Sequence, residues 1–305
     1  MTDRQTKVVY VSSPPFSGST LVAFLLGTHP EIATVGEMTG LVESRDIAQY
    51  WCSCGALIRE CSFWTGMERE MKAHGFDFHL DDFGMTYVLG SNRIASVLRT
   101  RTSHNRFLDA IRDALVPFWP GHLRELKSVQ DRNRAFIRSA LKITGKSIFL
   151  DVAKDPIRMK YLAETPGLEV KVIHLIRDVR GGANSYFKNL GWTLKAGAKN
   201  WKHTHLDIER MIRAYPVRDS MRLRYEDLCA DPSTTLKEIY HFCDVDVDAG
   251  SIDFEVSNLH IIGNRMRLKK ELRIRLDEKW KKELNSGQTQ VVESVAGAMN
   301  RRYGY

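Results

Sequence analysis

The sequence has no run of about 18 or more apolar residues, the length that a membrane-spanning helix needs, so no transmembrane segment is expected. Its first residues, MTDRQTK, show no apolar core of a secretory signal peptide, which makes the cytoplasm the expected location. No internal repeat or low-complexity linker divides the 305 residues. We therefore expect one large α/β core, or one core with a sizeable insertion.

Several catalytic patterns are also missing. We find no HExxH sequence, no paired-carboxylate metal cluster and no Ser-His-Asp arrangement, so no catalytic metal is expected. The net charge of +8 fits a polyanionic partner, which could be a nucleic acid, an anionic lipid or a small molecule. The basic residues are spread along the chain, densest in NRMRLKKELRIR, and no basic aromatic patch is evident. Nucleic-acid binding is therefore not expected.

Four apolar runs are typical of buried parallel strands, and helix-length segments separate them. They are KVVYVSS (7–13), SIFLDVA (147–153), VKVIHLI (170–176) and MRLRYEDL (221–228). Between Gly40 and Lys146 no strand is convincing, and amphipathic pieces there predict helices. The expected architecture is an α/β fold with a central parallel sheet and a helical insertion that covers one side of it.

The first predicted strand leads through a Pro, Ser and Gly turn into an apolar helix. This order aims backbone N–H groups and the helix dipole at one point near Ser17, Gly18, Ser19 and Thr20, as anion-binding loops do. The Walker A lysine is absent, which argues against an ATP-cleaving site. The alternative is an ordinary Ser/Gly turn that caps a buried helix.

A second anion signal follows the third predicted strand. Arg177 stands at the carboxyl end of that strand, where α/β sheets bind ligands, and Ser185 lies eight residues further along in the next helix. The two side chains could converge on one phosphate, to which the guanidinium would offer a fork of donors. The alternative is a local ion pair between Arg177 and Asp178.

With both anion sites in view, the chain resembles the sulfotransferases that use 3'-phosphoadenosine 5'-phosphosulfate (PAPS). The resemblance extends through GTHPEIATVGE, DVAKDPIR, RYEDLCADP and IIGNRMRL, and in motifs it is closest to the carbohydrate and tyrosyl-protein types. It implies a P-loop-like three-layer fold, with residues 1–305 as one sulfotransferase domain and an insertion at about 40–146 as a substrate cap. It also implies that residues 16–20 hold the 5'-phosphosulfate and that Arg177 and Ser185 hold the 3'-phosphate.

One position departs from the family. The first loop of these enzymes usually carries Lys or Arg where this chain has Phe16, although a cation near the departing nucleotide should lower the barrier. Lys154 follows an apolar strand at the same edge of the sheet, and related enzymes place a catalytic lysine in a similar K-x-P context. An exposed lysine in a polar turn is the alternative, and Arg158 is a weaker candidate for the missing cation.

The resemblance also indicates a base and a closing loop. Related enzymes place a catalytic glutamate in an HP…GE stretch, which here points to Glu37 beside Gly36; Glu37 could instead cap the following segment. His29 is the second choice of base. Arg265 and Arg267 follow a Gly-Asn turn in a region that closes over the 3'-phosphate in the family, with a solvated helix start as the alternative.

Three cysteines, Cys52, Cys54 and Cys61, cluster in WCSCGALIREC. A zinc site would normally need a fourth Cys or His nearby, and His74 and His79 are too distant in sequence to count. A disulfide and packed free thiols are the other interpretations. The sequence leaves the role and redox state of these thiols open.

The expected function is transfer of a sulfuryl group from PAPS to a hydroxyl or amine by in-line displacement. The acceptor would be a small molecule, a glycan or a lipid, and neither its identity nor the oligomeric state can be read from the sequence. The alternative enzyme is a P-loop-type kinase that uses ATP and Mg²⁺, which would require the missing loop lysine. A non-catalytic anion-binding module would leave the two anion sites and Lys154 unexplained.

Overall fold

The computed structural model describes residues 5–38, 47–89, 104, 106–250, 259–263, 265–268 and 274–305. Five strands form one sheet, with bounds β1 Thr6–Ser12, β2 Ile32–Thr34, β3 Ile148–Lys154, β4 Leu168–Ile176 and β5 Asp219–Arg224. Their order is β2-β3-β1-β4-β5, and every pairing is parallel. The predicted α/β class with a central parallel sheet is confirmed.

The helices are α1 Ser19–Gly27, α2 Ser62–Ala73, α3 Arg106–Leu115, α4 His122–Thr144, α5 Pro156–Ala163, α6 Val179–Leu190, α7 Leu194–Ala214, α8 Tyr225–Ala230, α9 Pro232–Cys243, α10 Trp280–Glu283 and α11 Ser286–Arg302. Short 3₁₀ turns span Ile47–Gln49, Val116–Phe118 and Arg265–Leu268. None of the helices in the described residues is long and apolar enough to cross a membrane.

The four predicted strands are present, one of them is shorter at its end than predicted, and a fifth strand was not predicted. The last one was predicted to extend to residue 228, but it ends at Arg224, and α8 begins at Tyr225. Glu226 and Asp227 lie in the first turn of α8, where negative charge stabilises a helix N-terminus. Strand β2 was missed because three residues give too short a pattern to recognise.

The predicted insertion supplies most of one layer of the fold. Val8 and Tyr10 face a core that contains α2, α4, α5 and residues 50–89, whereas Val9 and Val11 face a second core built with α1 and α9. The two cores lie on opposite faces of the sheet because side chains alternate along a strand. The described part of the insertion therefore packs on one face of the sheet.

The carboxyl end of the central strand β1 lies between those of β3 and β4. In register, Ser12 pairs with Lys154 of β3 on one side and with His174 of β4 on the other. After β1, the chain forms β2 and β3 on one side of that strand and then crosses to form β4 and β5 on the other side. The strand order therefore reverses next to β1. Open α/β sheets bind their ligands outside the carboxyl ends of the strands at such a reversal.

Candidate functional site

The loop after β1 presents free backbone donors at the start of α1. Gly18 is the N-cap, at a φ of 94°, and the first backbone bond of the helix runs from the Val22 N–H to the Gly18 carbonyl. Within the residues that the structure describes, no oxygen accepts from the N–H groups of residues 17–20. These donors and the positive end of the helix dipole point to one place, where they could bind an anion, and we call this loop the cradle.

Glycine is required at the N-cap for two reasons. The positive φ is one that side-chain-bearing residues rarely adopt. In addition, a Cβ at position 18 would lie only 2.5 Å from the ring of Tyr225, the first residue of α8. The loop therefore lies directly against that ring.

Arg177 holds the loop from the neighbouring strand end. Its Nη1 donates to the Phe16 carbonyl at 2.8 Å, and the Phe16 ring meets Tyr186 edge-on with centroids 5.2 Å apart. Phe16 itself has a φ of 66°, an uncommon value for a side-chain-bearing residue. This carbonyl is thus occupied by Arg177, while the N–H groups that follow it stay free.

Arg177 is buried, with 7% of its surface exposed, and its charge is matched by the C-terminal segment. Its Nη2 lies 3.1 Å from Asp277 Oδ2 and donates to the Asp277 carbonyl at 2.9 Å. Burial would raise the pKa of the Asp277 carboxyl, but the Arg177 guanidinium and the Lys279 N–H and ammonium together outweigh burial, so that pKa lies below its usual value. A buried guanidinium at a strand end, paired with a half-exposed carboxylate, is a site where an anionic group of a ligand could replace the carboxylate.

Ser185 lies on the same side of α6 as this guanidinium. Its hydroxyl donates to the Gly181 carbonyl at 2.9 Å, one turn back along the helix. A Cβ on Gly181 would lie 3.2 Å from Arg177 Nε, so the arginine packs directly on that turn. Arg177 and Ser185 therefore both contact the turn of α6 at Gly181. That they share one phosphate stays a prediction.

Lys154 and Glu37 form an ion pair at the carboxyl end of β3, beside the loop that follows β1. The Lys154 Nζ contacts the Glu37 Oε1, and the two side chains are 19% and 36% exposed. Lys154 ends β3 with a φ of 72°, and its carbonyl accepts from the Ser12 hydroxyl at 2.9 Å. The ammonium and the carboxylate thus lie together at the carboxyl edge, next to the strand that carries the cradle.

A tight turn aims Glu37 at this edge. Gly36 has a φ of 81°, and its carbonyl accepts from the Val152 N–H at 3.2 Å. On the other side, Gly36 forms a parallel bridge with Ile262, whose N–H donates to the Val35 carbonyl at 3.0 Å. The backbone that precedes Glu37 is therefore held between β3 and residues 259–263, which sequence reasoning did not foresee.

Two fallback candidates lie elsewhere. Arg158 is 2% exposed, and its guanidinium donates hydrogen bonds to Asp151 Oδ2 at 2.8 Å and to Asn133 Oδ1 at 2.7 Å. His29 is fully buried near the amino ends of the strands, where its ring nitrogens contact the Asp246 carbonyl at 2.8 Å and the Glu31 N–H at 3.1 Å. Neither side chain is available to a ligand at the carboxyl edge.

Arg265 and Arg267 fall in the 3₁₀ turn Arg265–Leu268. Their side chains lie outside the described part of the structure, so their predicted contact with a 3'-phosphate stays a prediction. The turn follows Gly263, one residue beyond the segment that bridges to Gly36.

Residues 9–249 match the model of a family described as "Sulfotransferase family". The chain belongs to the sulfotransferase family. The matched residues include the cradle, Glu37, Lys154 and Arg177, and they end before His260. The chain is therefore an enzyme of sulfuryl transfer, and the family expected from the sequence motifs is confirmed.

Three solved structures illustrate the similarity. The sulfotransferase domain from the olefin synthase of Synechococcus PCC 7002 is 19% identical, with 96% of this chain and 95% of that chain covered and a TM-score of 0.49. The sulfotransferase domain from the curacin biosynthetic pathway is 14% identical, with coverages of 95% and 97% and a TM-score of 0.48. A sulfotransferase from Mycobacterium avium is 10% identical, with coverages of 100% and 78% and a TM-score of 0.47. A comparison with curated protein sequences gave no significant match.

The cysteines of this sulfotransferase are all free thiols. The disulfide considered for Cys52, Cys54 and Cys61 is therefore absent from the structure. Sequence reasoning missed the residue that completes this cluster, His260, which lies 199 residues from Cys61 along the chain. Three cysteines within ten residues were a signal that a fourth ligand should be sought anywhere in the chain.

Proposed function

We propose that this sulfotransferase transfers a sulfuryl group from PAPS to a hydroxyl or amine of its acceptor. The observation that carries the proposal is the contact between Lys154 and Glu37 at the carboxyl edge, next to a cradle of free N–H groups. A cation, a carboxylate and an anion cradle at one strand edge are the parts that in-line sulfuryl transfer needs.

The donor would lie across both anion sites. The N–H groups of residues 17–20 and the hydroxyls of Ser17, Ser19 and Thr20 would bind the 5'-phosphosulfate, since no described oxygen accepts from those amides. Arg177 and Ser185 would bind the 3'-phosphate, and that phosphate would replace the Asp277 carboxylate on the guanidinium. Arg265 and Arg267 would add positive charge from the loop that follows Gly263.

The chemistry assigns one role to each member of the pair. As the acceptor oxygen bonds to sulfur, the bond from sulfur to the bridging oxygen breaks, and adenosine 3',5'-bisphosphate leaves. Glu37 takes the proton of the acceptor hydroxyl, and Lys154 donates a hydrogen bond to the oxygen on which negative charge develops. Lys154 thereby supplies the cation that Phe16 cannot.

The acceptor would be a small molecule, a glycan or a lipid. It would approach the carboxyl edge from outside, and the insertion at about 40–146 would contribute to its selection as a substrate cap. Residues 40–46, 90–103 and 105, which belong to that insertion, lie outside the described structure.

The proposal is tested with radiolabelled PAPS and separate pools of lipids, glycans and phenols. We expect label to pass from the donor to one pool with the wild-type enzyme, and to stay in the donor with Glu37→Gln. A matched control is Glu31→Gln. Glu31 directly precedes β2 and so lies at the amino ends of the strands, away from the proposed site, and this variant should keep wild-type transfer. Label transfer that is equal in all three proteins would refute the assigned roles, and transfer of phosphate from ATP would favour a kinase.

A further inference from the structure

Four potential metal ligands meet at one point outside the proposed donor site. They are the thiols of Cys52, Cys54 and Cys61 and the Nδ1 of His260, and all four ligand atoms lie within 4.8 Å of one another. Cys52 and Cys61 are 1% and 2% exposed, whereas Cys54 and His260 are partly exposed. The cluster joins the start of the insertion to a segment near the end of the chain.

The distances match a tetrahedral ion. Zinc bonds of about 2.3 Å to sulfur and 2.0–2.1 Å to nitrogen place tetrahedral ligands about 3.8 Å apart for two sulfurs and about 3.5 Å apart for sulfur and nitrogen. In the structure, Cys61 Sγ lies 3.7 Å from Cys54 Sγ and 3.8 Å from Cys52 Sγ. His260 Nδ1 lies 3.3 Å from Cys61 Sγ and 3.8 Å from Cys52 Sγ.

A disulfide does not explain this geometry, because its sulfurs would be about 2.0 Å apart. The two thiol pairs that include Cys61 instead have the spacing of two ligands on one ion. Three thiols and an imidazole form the Cys₃His set of structural zinc sites, in which the protein supplies all four ligands.

The local fold builds the cysteine side of the cluster. Trp51 and Leu57 form an antiparallel bridge that closes a turn, in which the Cys52 N–H donates to the Ala56 carbonyl at 2.9 Å and Gly55 has a φ of 86°. This turn brings Cys54 back toward Cys52. Cys61 is the N-cap of α2, where the helix dipole favours a thiolate.

The histidine side is held just as firmly. The Ser53 hydroxyl donates to the Leu259 carbonyl and accepts from the Ile261 N–H at 2.8 Å, so it binds the backbone on both sides of His260. The imidazole stacks on Phe63 with the ring planes 4° apart and the centroids 4.8 Å apart. Both the position and the plane of the ring are therefore fixed by contacts that need no metal.

We propose that Cys52, Cys54, Cys61 and His260 bind one structural zinc ion. The ion would add to the Ser53 hydrogen bonds that hold residues 259–263 on the cysteine turn, and Ile262 in that segment forms the bridge to Gly36 beside Glu37. The zinc takes no part in sulfuryl transfer; it holds the backbone that aims Glu37. The proposal does not depend on the identity of the donor, because the four ligands lie outside the anion cradle.

The test begins with the metal content of the full-length protein purified without chelator. We expect one zinc ion per chain by elemental mass spectrometry, and a mass in native spectrometry that excludes a disulfide. Cys61→Ser and His260→Ala should each weaken zinc affinity, measured by competition with a chelator, by more than the roughly 10–100-fold typical of losing an outer-shell partner. Cys229→Ser removes a thiol outside the cluster and should keep one zinc ion.

Two further measurements cover variants that fail to fold. His260→Cys restores a fourth ligand and should keep the ion, and wild-type protein loaded with cobalt should show the visible bands of a tetrahedral thiolate site. In the His260→Cys variant those bands should shift toward those of a four-thiolate site. Wild-type protein without stoichiometric zinc, a disulfide among the three cysteines, or a cobalt spectrum that His260→Cys leaves unchanged would each overturn the proposal.

Discussion

Replacing Lys154 with methionine removes the ammonium group and keeps most of the length of the side chain. If Lys154 stabilises the departing nucleotide, kcat should fall by about 10²–10³, the cost of losing one transition-state donor, or about 2.7–4 kcal/mol. The loss of its ion pair should cost far less in folding free energy. Because the Lys154 and Glu37 side chains are 19% and 36% exposed, we expect a change of about 1 kcal/mol or less.

The assay pairs turnover with labelled PAPS against calorimetric binding of adenosine 3',5'-bisphosphate. A role in the transition state predicts a large loss in kcat with little change in bisphosphate affinity or in the unfolding midpoint. Lys127→Met is the matched control, because this lysine is 74% exposed on α4 and its ion pair is with Asp131 of the same helix. Intact turnover in Lys154→Met, or equal losses in kcat and bisphosphate affinity, would refute the reasoning.

Glu37→Gln should bind adenosine 3',5'-bisphosphate like wild type but lose about 10²-fold in kcat, together with the acidic limb of the pH–rate profile; an unchanged limb would assign the base elsewhere. Arg177→Ala should weaken calorimetric binding of adenosine 3',5'-bisphosphate by about 2–3 kcal/mol and barely change that of adenosine 5'-monophosphate, and equal losses would contradict a 3'-phosphate site. Burial lowers the pKa of His174 to about 4, whereas the unfolded chain keeps the ordinary 6.5, so folding stability is lost as the pH falls from 6.5 toward 4. His174 alone should contribute a loss of about 2 kcal/mol to the urea unfolding free energy between about pH 7 and pH 5. The neighbouring His205, whose pKa burial also lowers well below its usual value, adds to that loss. His174→Gln should therefore reduce the pH dependence without abolishing it, and an unchanged slope would rule out His174 as a source.

Long apolar runs made the sheet predictable. Strands β1, β3 and β4 are buried on both faces, so their sequences stand out from the helices around them. Strand β2 has three residues and gives no comparable pattern. At the end of β5 the pattern was overextended, because Tyr225 and Leu228 are buried in a helix as they would be in a strand.

The separate parts of the candidate site could be predicted because each lies at a strand end. Parallel strands bring their carboxyl ends to one edge, so Lys154 and Arg177 could be placed there from the sequence. The contact between Lys154 and Glu37 could not, because it depends on the turn at Gly36 and on its bridge to Ile262. The roles assigned to these residues stay predictions.

His260 shows the limit of local reasoning. Its separation from Cys61 is 199 residues, so spacing rules for metal ligands, which compare near neighbours, could not include it. Only the packing of residues 259–263 against the cysteine turn brings the imidazole to the three thiols.

The measurement that tests the central claim most directly is calorimetry of the wild-type enzyme with adenosine 3',5'-bisphosphate and, separately, with ATP and Mg²⁺. A site built from the cradle, Arg177 and Ser185 predicts binding of the bisphosphate that is independent of Mg²⁺ and stronger than that of ATP. Binding of ATP only in the presence of Mg²⁺, with no measurable binding of the bisphosphate, would contradict the assignment of PAPS as the donor.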